Sequence, residues 1–166
     1  MSHQQSAQSN LFWEYSLALY AREGVAAACL ALQDEFGLDV NLLLYGAWQA
    51  SQGRRLDEQH MAELEESTAL WRHEVVKPVR ALRQRWREFP GVAQLRDELK
   101  SLELNAERQQ QDMMWGHQLA SPPLPEGADC LLENLTLAAA VTGATGEVLA
   151  AELRRLAAII SRQGQG

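Results

Sequence analysis

The chain has 166 residues, about the length of one domain, of which 46% are hydrophobic and 22% are charged. This composition is typical of a soluble globular protein and excludes wholesale disorder, a collagen-like fibre and a disulfide-rich scaffold. With 15 basic and 22 acidic side chains, the formal net charge is −7, which disfavours general nucleic-acid binding because phosphates are repelled.

Three helices are predicted in the first third of the chain, over about 11–22, 25–36 and 40–51. Apolar residues recur there with helical periodicity, and strand signals are nearly absent. Asn10 and Asp39 are predicted N-caps, since short polar side chains accept hydrogen bonds from the first turn of a helix. The third helix is apolar nearly all round, which predicts a central buried position.

The first predicted helix carries four of the eleven aromatic residues of the protein, Phe12, Trp13, Tyr15 and Tyr20. Aromatic residues at helical spacing usually belong to a core. The first three point in different directions, however, so one helix face cannot bury them all. Either the helix lies in a groove, or one aromatic side chain is exposed and suggests a partner site.

Two long helices follow, over about 57–89 and 92–119, and each carries an apolar seam with 3-4 spacing. Because a short Pro90-Gly91 joint connects them, they are predicted to form a long antiparallel hairpin. Pro78 lies inside the first of these helices and is expected to kink or restart it.

The remaining chain is predicted as a proline-rich linker, 121–127, and a C-terminal helix pair, 128–161, with helices at about 128–142 and 146–161. The pair is strongly apolar, so it either folds back onto the bundle or forms a homodimer. Residues 1–10 and 162–166 are predicted tails, and 11–120 is the predicted helical core domain. The predicted fold is therefore all-α, a bundle of six or seven helices with a long antiparallel hairpin.

The location is predicted to be cytoplasmic, without a membrane segment. No window reaches 18 uncharged apolar residues, and the polar N-terminus does not resemble a signal peptide. Cys29 and Cys130 lie in separate apolar patterns without metal-ligand spacing, which favours buried free thiols.

A polar turn joins the second and third predicted helices and forms the first candidate site. It contains Gln33, Asp34, Asp39 and Asn41. Asp34 ends one helix and Asp39 begins the next, so their carboxylates could converge on Mg²⁺. The structural alternative is that Asp39 caps its helix, Asp34 is solvated and Asn41, an odd polar residue in an apolar run, fixes the turn.

No catalytic residue can be assigned from the sequence. A set of acids and histidines on the first long helix resembles half of a helical di-metal site, but a solvated face explains it better. Motifs for a catalytic serine, a phosphate-binding loop or a dinucleotide are absent. No cofactor is predicted, and the metal content is left open. The acids and histidines of the first long helix that resemble half of a di-metal site are His60, Glu63, Glu66, His73 and Glu74.

A basic stripe on the first long helix is the second candidate site: Arg72, Lys77, Arg80, Arg83 and Arg87. The last three are spaced i, i+3 and i+7, so they share one helix face. If the apolar seam is the face that packs against the second hairpin helix, the face with these arginines points away from that helix. The stripe is a docking surface for an anionic partner, is paired with acids elsewhere in the fold, or is merely solvated.

The sequence resembles a family of short uncharacterised proteins, mainly from gammaproteobacteria, over about residues 11–110. The resemblance implies a bacterial cytoplasmic protein of unknown function, and it singles out part of both candidate sites as motif members: Gln33, Asp34, Asp39, Asn41, Arg80 and Arg83. The residues that carry it are Phe12-Trp13, Ser16-Leu17, Leu19-Tyr20, Gly24-Val25, Cys29-Leu30, Leu32-Gln33-Asp34, Gly37, Asp39-Val40-Asn41-Leu42-Leu43-Leu44, Trp48, and more loosely Trp71, Val75-Val76, Pro78, Arg80, Leu82-Arg83, Glu98-Leu99 and Ala106-Glu107-Arg108.

The function expected from the sequence is that of a non-catalytic adaptor or regulator. It would bind a macromolecule through Arg80, Arg83 and Arg87, with Arg72 at the margin. Another protein is the first choice of partner, and RNA or a ribosomal surface is the second because of the negative net charge. The alternative is a helical-bundle enzyme or ligand-binding protein with Mg²⁺ at Asp34 and Asp39.

Overall fold

The computed structural model describes residues 10–117, 125 and 128–162, and contains no strand in these ranges. Most of the predicted tails and linker lie outside them. A π-helical turn (Arg72–Val76) joins the helices Glu58–Trp71 and Lys77–Arg85, and a 3-10 turn (Trp86–Glu88) follows the second of them. Counting 58–88 as one arm gives seven helices in the described part, so the all-α bundle prediction is confirmed. The helices are α1 (Leu11–Tyr20), α2 (Val25–Phe36), α3 (Val40–Ser51), α4 (Glu58–Trp71), α5 (Lys77–Arg85), α6 (Ala93–Trp115), α7 (Leu131–Ala140) and α8 (Glu147–Arg162).

Local capping determines where the first three helices begin and end. The side chain of Asn10 accepts a hydrogen bond from the Trp13 N–H at 3.0 Å, and that of Asp39 accepts one from the Asn41 N–H at 2.9 Å. Gly37 ends α2 in the left-handed region, φ 68°, which favours glycine. Both predicted N-caps are therefore confirmed.

Helix α3 lies at the centre of the core, as predicted. Most of its side chains are buried, and α1, α2, α6 and α7 all pack against it. The Tyr45 ring stacks on Phe12 with 5.4 Å between centroids, and Trp48 packs against Trp115 at 5.3 Å. Of the N-terminal aromatic residues, Phe12 is fully buried, whereas Trp13 and Tyr15 are half-buried.

The long hairpin is antiparallel, as predicted. Trp71 Nε1 donates to the Ala106 carbonyl oxygen at 2.8 Å, while Arg80, further along the first arm, contacts Glu103, earlier on α6. Pro78 occupies the first turn of α5, immediately after the π-helical turn. Because proline has no N–H, it cannot donate to the backbone ladder. The arm nevertheless stays helical across Pro78, and the change from π-helical to α-helical spacing lies just before it.

The C-terminal helices fold back onto the bundle. Helix α7 packs along α3, and α8 packs against α2 and α7. Leu135, Leu149, Leu153 and Leu156 are buried in the same core as the N-terminal helices. The segment thus adopts the fold-back alternative, and these leucines are not available for a dimer interface. None of the described helices combines the length and apolarity needed to cross a membrane.

Candidate functional site

The two candidate sites of the sequence line a single cleft of about 370 Å³, here called the charged cleft. Its walls come from α1, the turn between α2 and α3, the first hairpin arm and α6. The volume is within the roughly 300–1,000 Å³ of typical ligand sites. Every predicted site residue lines it: Gln33, Asp34, Asp39, Asn41, Arg72, Arg80, Arg83 and Arg87.

Asp39 is held by protein donors on both carboxylate oxygens. Oδ1 caps α3, while Oδ2 accepts from Arg72 Nη1 at 3.0 Å and from Gln110 Nε2 at 2.7 Å. Asp34 is exposed at the edge of the cleft. Across the described chain, no three or more histidine, cysteine or acidic side chains are grouped to hold a metal ion. No such group of described residues is therefore present at Asp34 and Asp39, where Mg²⁺ was considered, or around His60.

Asn41 joins α3 to α6 rather than fixing only the turn. Its Nδ2 donates to Gln110 Oε1 at 3.0 Å and to the Glu107 carbonyl oxygen at 3.2 Å, and its Oδ1 accepts from Gln111 Nε2 at 2.9 Å. Both glutamines are almost completely buried. Neither glutamine was predicted as a site residue. The available signal was that Gln110 follows Ala106 by one turn on the buried face of α6.

Arg80 and Arg83 point toward α6, so the prediction that they face away from it was wrong. Arg80 donates to Glu103 at 2.8 Å and to Glu107 at 2.6 Å, and Arg83 donates to both oxygens of Glu103. The cause is the π-helical turn, which accommodates an additional residue. One residue corresponds to about 100° of helix rotation, so the phase extrapolated from α4 does not apply to α5.

Arg72 is buried in the wall of the cleft. Besides Asp39, its guanidinium contacts Glu65 Oε1 at 2.8 Å, and its Nε has no hydrogen-bond partner among the described residues. Pairing of the stripe with acids elsewhere in the fold was one of the alternatives left open by the sequence. The partners observed are Asp39, Glu65, Glu103 and Glu107.

Two basic residues of the charged cleft differ from these arginines. Lys77 and Arg87 are exposed, and within the described ranges neither side chain forms an ion pair or hydrogen bond. Lys77 belonged to the predicted basic stripe but not to the arginines expected to bind the partner. Among the residues that the structure describes, the charged cleft has five basic and four acidic side chains, and the three paired arginines are already neutralised. Its basic residues are Arg72, Lys77, Arg80, Arg83 and Arg87, and its acidic residues are Asp34, Asp39, Glu103 and Glu107.

The two glutamates of α6 have opposite pKa shifts. Burial raises the pKa of Glu103, but the hydrogen bonds and charges of Arg83 and Arg80 outweigh this and hold it below its ordinary 4.5. For Glu107, burial outweighs Arg80, and the pKa is above 4.5. Burial also raises the pKa of the nearby Tyr20 to about 12, so this phenol is protonated at neutral pH.

The other part of the cleft surface is apolar. Leu17 of α1, Leu30 of α2 and Leu104 of α6 line it, and each is about half exposed. Trp13 is also a lining residue, and the Arg108 guanidinium lies over its ring at 5.4 Å. The charged cleft thus combines leucines from three helices with unpaired cations from the hairpin arm.

The two cysteines lie outside the cleft and are free and buried, as predicted. Burial raises the pKa of the Cys29 thiol to about 12. A thiol with so high a pKa is protonated and therefore a poor nucleophile at neutral pH.

The chain belongs to a family described as "Protein of unknown function (DUF2390)", whose family model matches residues 11–114. This confirms the resemblance to a family of unknown function. The match spans α1 to α6, with the last residue of α6 outside it, and includes every residue of the charged cleft. No curated protein and no solved structure matches the chain.

Proposed function

We propose that this member of the family is a non-catalytic adaptor or regulatory protein that binds an anionic part of another protein in the charged cleft. The observation that carries the proposal is the pair of exposed, unpaired cations, Lys77 and Arg87, at the cleft. Unpaired charges at a concave site attract ligands of opposite charge and fix their orientation. The setting we propose is the bacterial cytoplasm.

The ion pairs inside the cleft favour binding over catalysis. Asp39 and Glu103, which could otherwise act on a substrate, accept hydrogen bonds from Arg72, Arg80 and Arg83. Such pairs rigidify a wall, because each guanidinium is fixed by charge-assisted hydrogen bonds. A rigid wall beside unpaired cations is suited to recognising a ligand with little ordering cost.

A protein is a better candidate partner than RNA. Exposed leucines around a cleft are typical of protein interfaces, whereas RNA recognition depends on phosphate contacts and a positive field. The net charge of −7 opposes such a field. RNA remains the second candidate partner, since Trp13 and Tyr20 also line the cleft and aromatic rings can stack on bases.

The experiment is affinity capture from bacterial lysate with the wild type and with Lys77→Glu/Arg87→Glu. The matched control is Arg85→Glu/Lys100→Glu, which makes the same change of charge at exposed hairpin positions outside the cleft. Arg80 and Arg83 are poor targets, because glutamate there would lie against Glu103 and Glu107 and disturb the fold.

We expect one set of proteins to be lost with the cleft variant and retained with the control. Capture should weaken with added salt, since exposed charges are screened. Equal recovery by all three proteins would contradict the proposal. Loss of the captured material after nuclease treatment would instead indicate RNA.

A further inference from the structure

The spacing of the two unpaired cations restricts the shape of the ligand. Lys77 begins α5 and Arg87 lies in the 3-10 turn after it, ten residues further along the same arm. At 1.5 Å per residue they are roughly 15 Å apart along the axis. At this spacing each cation can hold an anionic group of its own, so an elongated ligand that carries two anionic groups can pair with both.

Apolar groups accompany these cations in the cleft. Leu17, Leu30 and Leu104 are half exposed and come from three different helices, so a ligand lying across the cleft can contact all of them. Covering such surface is favourable by about 25 cal/mol per Å². A purely polar polyanion would leave this contribution unused, whereas a peptide segment with apolar side chains would use it.

From this geometry, and given the proposed function, we infer that the ligand is an acidic amphipathic segment of a partner protein. It carries two acidic side chains about 15 Å apart, placed on Lys77 and Arg87, and apolar side chains that cover Leu17, Leu30 and Leu104. In an α-helix this separation corresponds to about ten residues, or nearly three turns. In an extended chain it corresponds to about five.

The test is selection of random 16-residue peptides displayed on phage against the full-length protein, with parallel selections on two variants. Lys77→Glu/Arg87→Glu reverses the cations, and Arg85→Glu/Lys100→Glu is the matched control outside the cleft. Enriched peptides are synthesised, and their affinities are measured for all three proteins and for Leu30→Ser/Leu104→Ser. Poly(uridylate) and inorganic phosphate serve as two further probes.

We expect the enriched peptides to share a pair of acidic residues at one of the two spacings, together with leucine-like residues. Their affinity should fall at least about tenfold with the cation reversal and with the leucine replacements, and change little with the control. Enrichment that is equal on the cation-reversed variant, peptides without the acidic pair, or binding of poly(uridylate) or phosphate alone would overturn the inference.

The selection and the lysate capture can fail separately. If the cleft variant loses proteins in the capture but no peptide is selected, the proposed function stands and the acidic segment is excluded as its ligand. Failure of both would remove the charged cleft as a binding site.

Discussion

Arg72 and Asp39 form an ion pair at 3.0 Å, although 33 residues separate them in the chain. Asp39 caps α3, the central helix of the core, and Arg72 begins the π-helical turn of the hairpin arm. About nine-tenths of each side chain is buried. One contact therefore fastens the hairpin to the core and forms part of the cleft wall.

Removing the Asp39 carboxylate should destabilise the protein strongly. Asp39→Ala leaves the buried Arg72 without this partner and removes the cap of α3. Breaking a buried ion pair on one side costs about 3–5 kcal/mol. The exposed Asp34 is the matched control, and Asp34→Ala should change the free energy of unfolding by less than about 0.5 kcal/mol. Urea denaturation measures both, and equal effects would contradict the structure.

Glu103 and Glu107 should give opposite pH dependences of stability. The lowered pKa of Glu103 means that its stabilising contribution is present above pH 4.5 and is lost as pH falls through its folded-state pKa. The raised pKa of Glu107 means that its contribution is present below pH 4.5 and is lost as pH rises through its folded-state pKa.

The variants Glu103→Gln and Glu107→Gln separate these contributions. The stability of Glu103→Gln relative to the wild type should fall as the pH rises toward about 4.5. The stability of Glu107→Gln relative to the wild type should instead rise as the pH increases above about 4.5. Urea unfolding monitored by tryptophan fluorescence over about pH 3.5–7 provides the comparison. Parallel curves for the two variants would show that Arg80 and Arg83 do not distinguish the carboxylates.

The sequence predicted features that depend on a few neighbouring residues. The caps at Asn10 and Asp39 follow from local backbone chemistry, which is the same in any fold. The direction in which Arg80 and Arg83 point was predicted wrongly, because the π-helical turn shifts the helical phase and was not recognised from the apolar pattern.

The sequence also could not predict that the two candidate sites line the same cleft. It depends on α6 crossing the turn between α2 and α3, where Gln110 and Gln111 meet Asn41 about 70 residues away in the chain. Hydrogen bonds over such separations are determined by tertiary packing, and periodicity reports only which face of a helix is apolar.

Asn134 should be one of the most sensitive polar positions. Its Oδ1 accepts from the Leu56 N–H at 2.9 Å, and its Nδ2 donates to the Gly46 and Arg54 carbonyl oxygens at 3.1 and 2.9 Å. Asn134→Ala would leave buried backbone groups without partners and cost about 2–4 kcal/mol. Thr136→Ala on the exposed side of α7 is the control. A loss for Asn134→Ala no larger than that of the control would contradict this network.

A chain ending at residue 120 should not form a stable monomer. It lacks α7 and α8, and with them the buried Leu135, Leu149, Leu153 and Leu156. Burying a leucine contributes about 1.5–3 kcal/mol, so the four together approach the roughly 5–15 kcal/mol net stability of a whole domain.

The truncated chain should therefore aggregate in light scattering and lose cooperative thermal unfolding. A chain ending at Arg162 should behave like the full-length protein, because it keeps both helices. A soluble truncated monomer with cooperative unfolding would mean that α1 to α6 form an independent core. The charged cleft, whose described lining residues all lie within 13–111, could then be studied without the C-terminal helices.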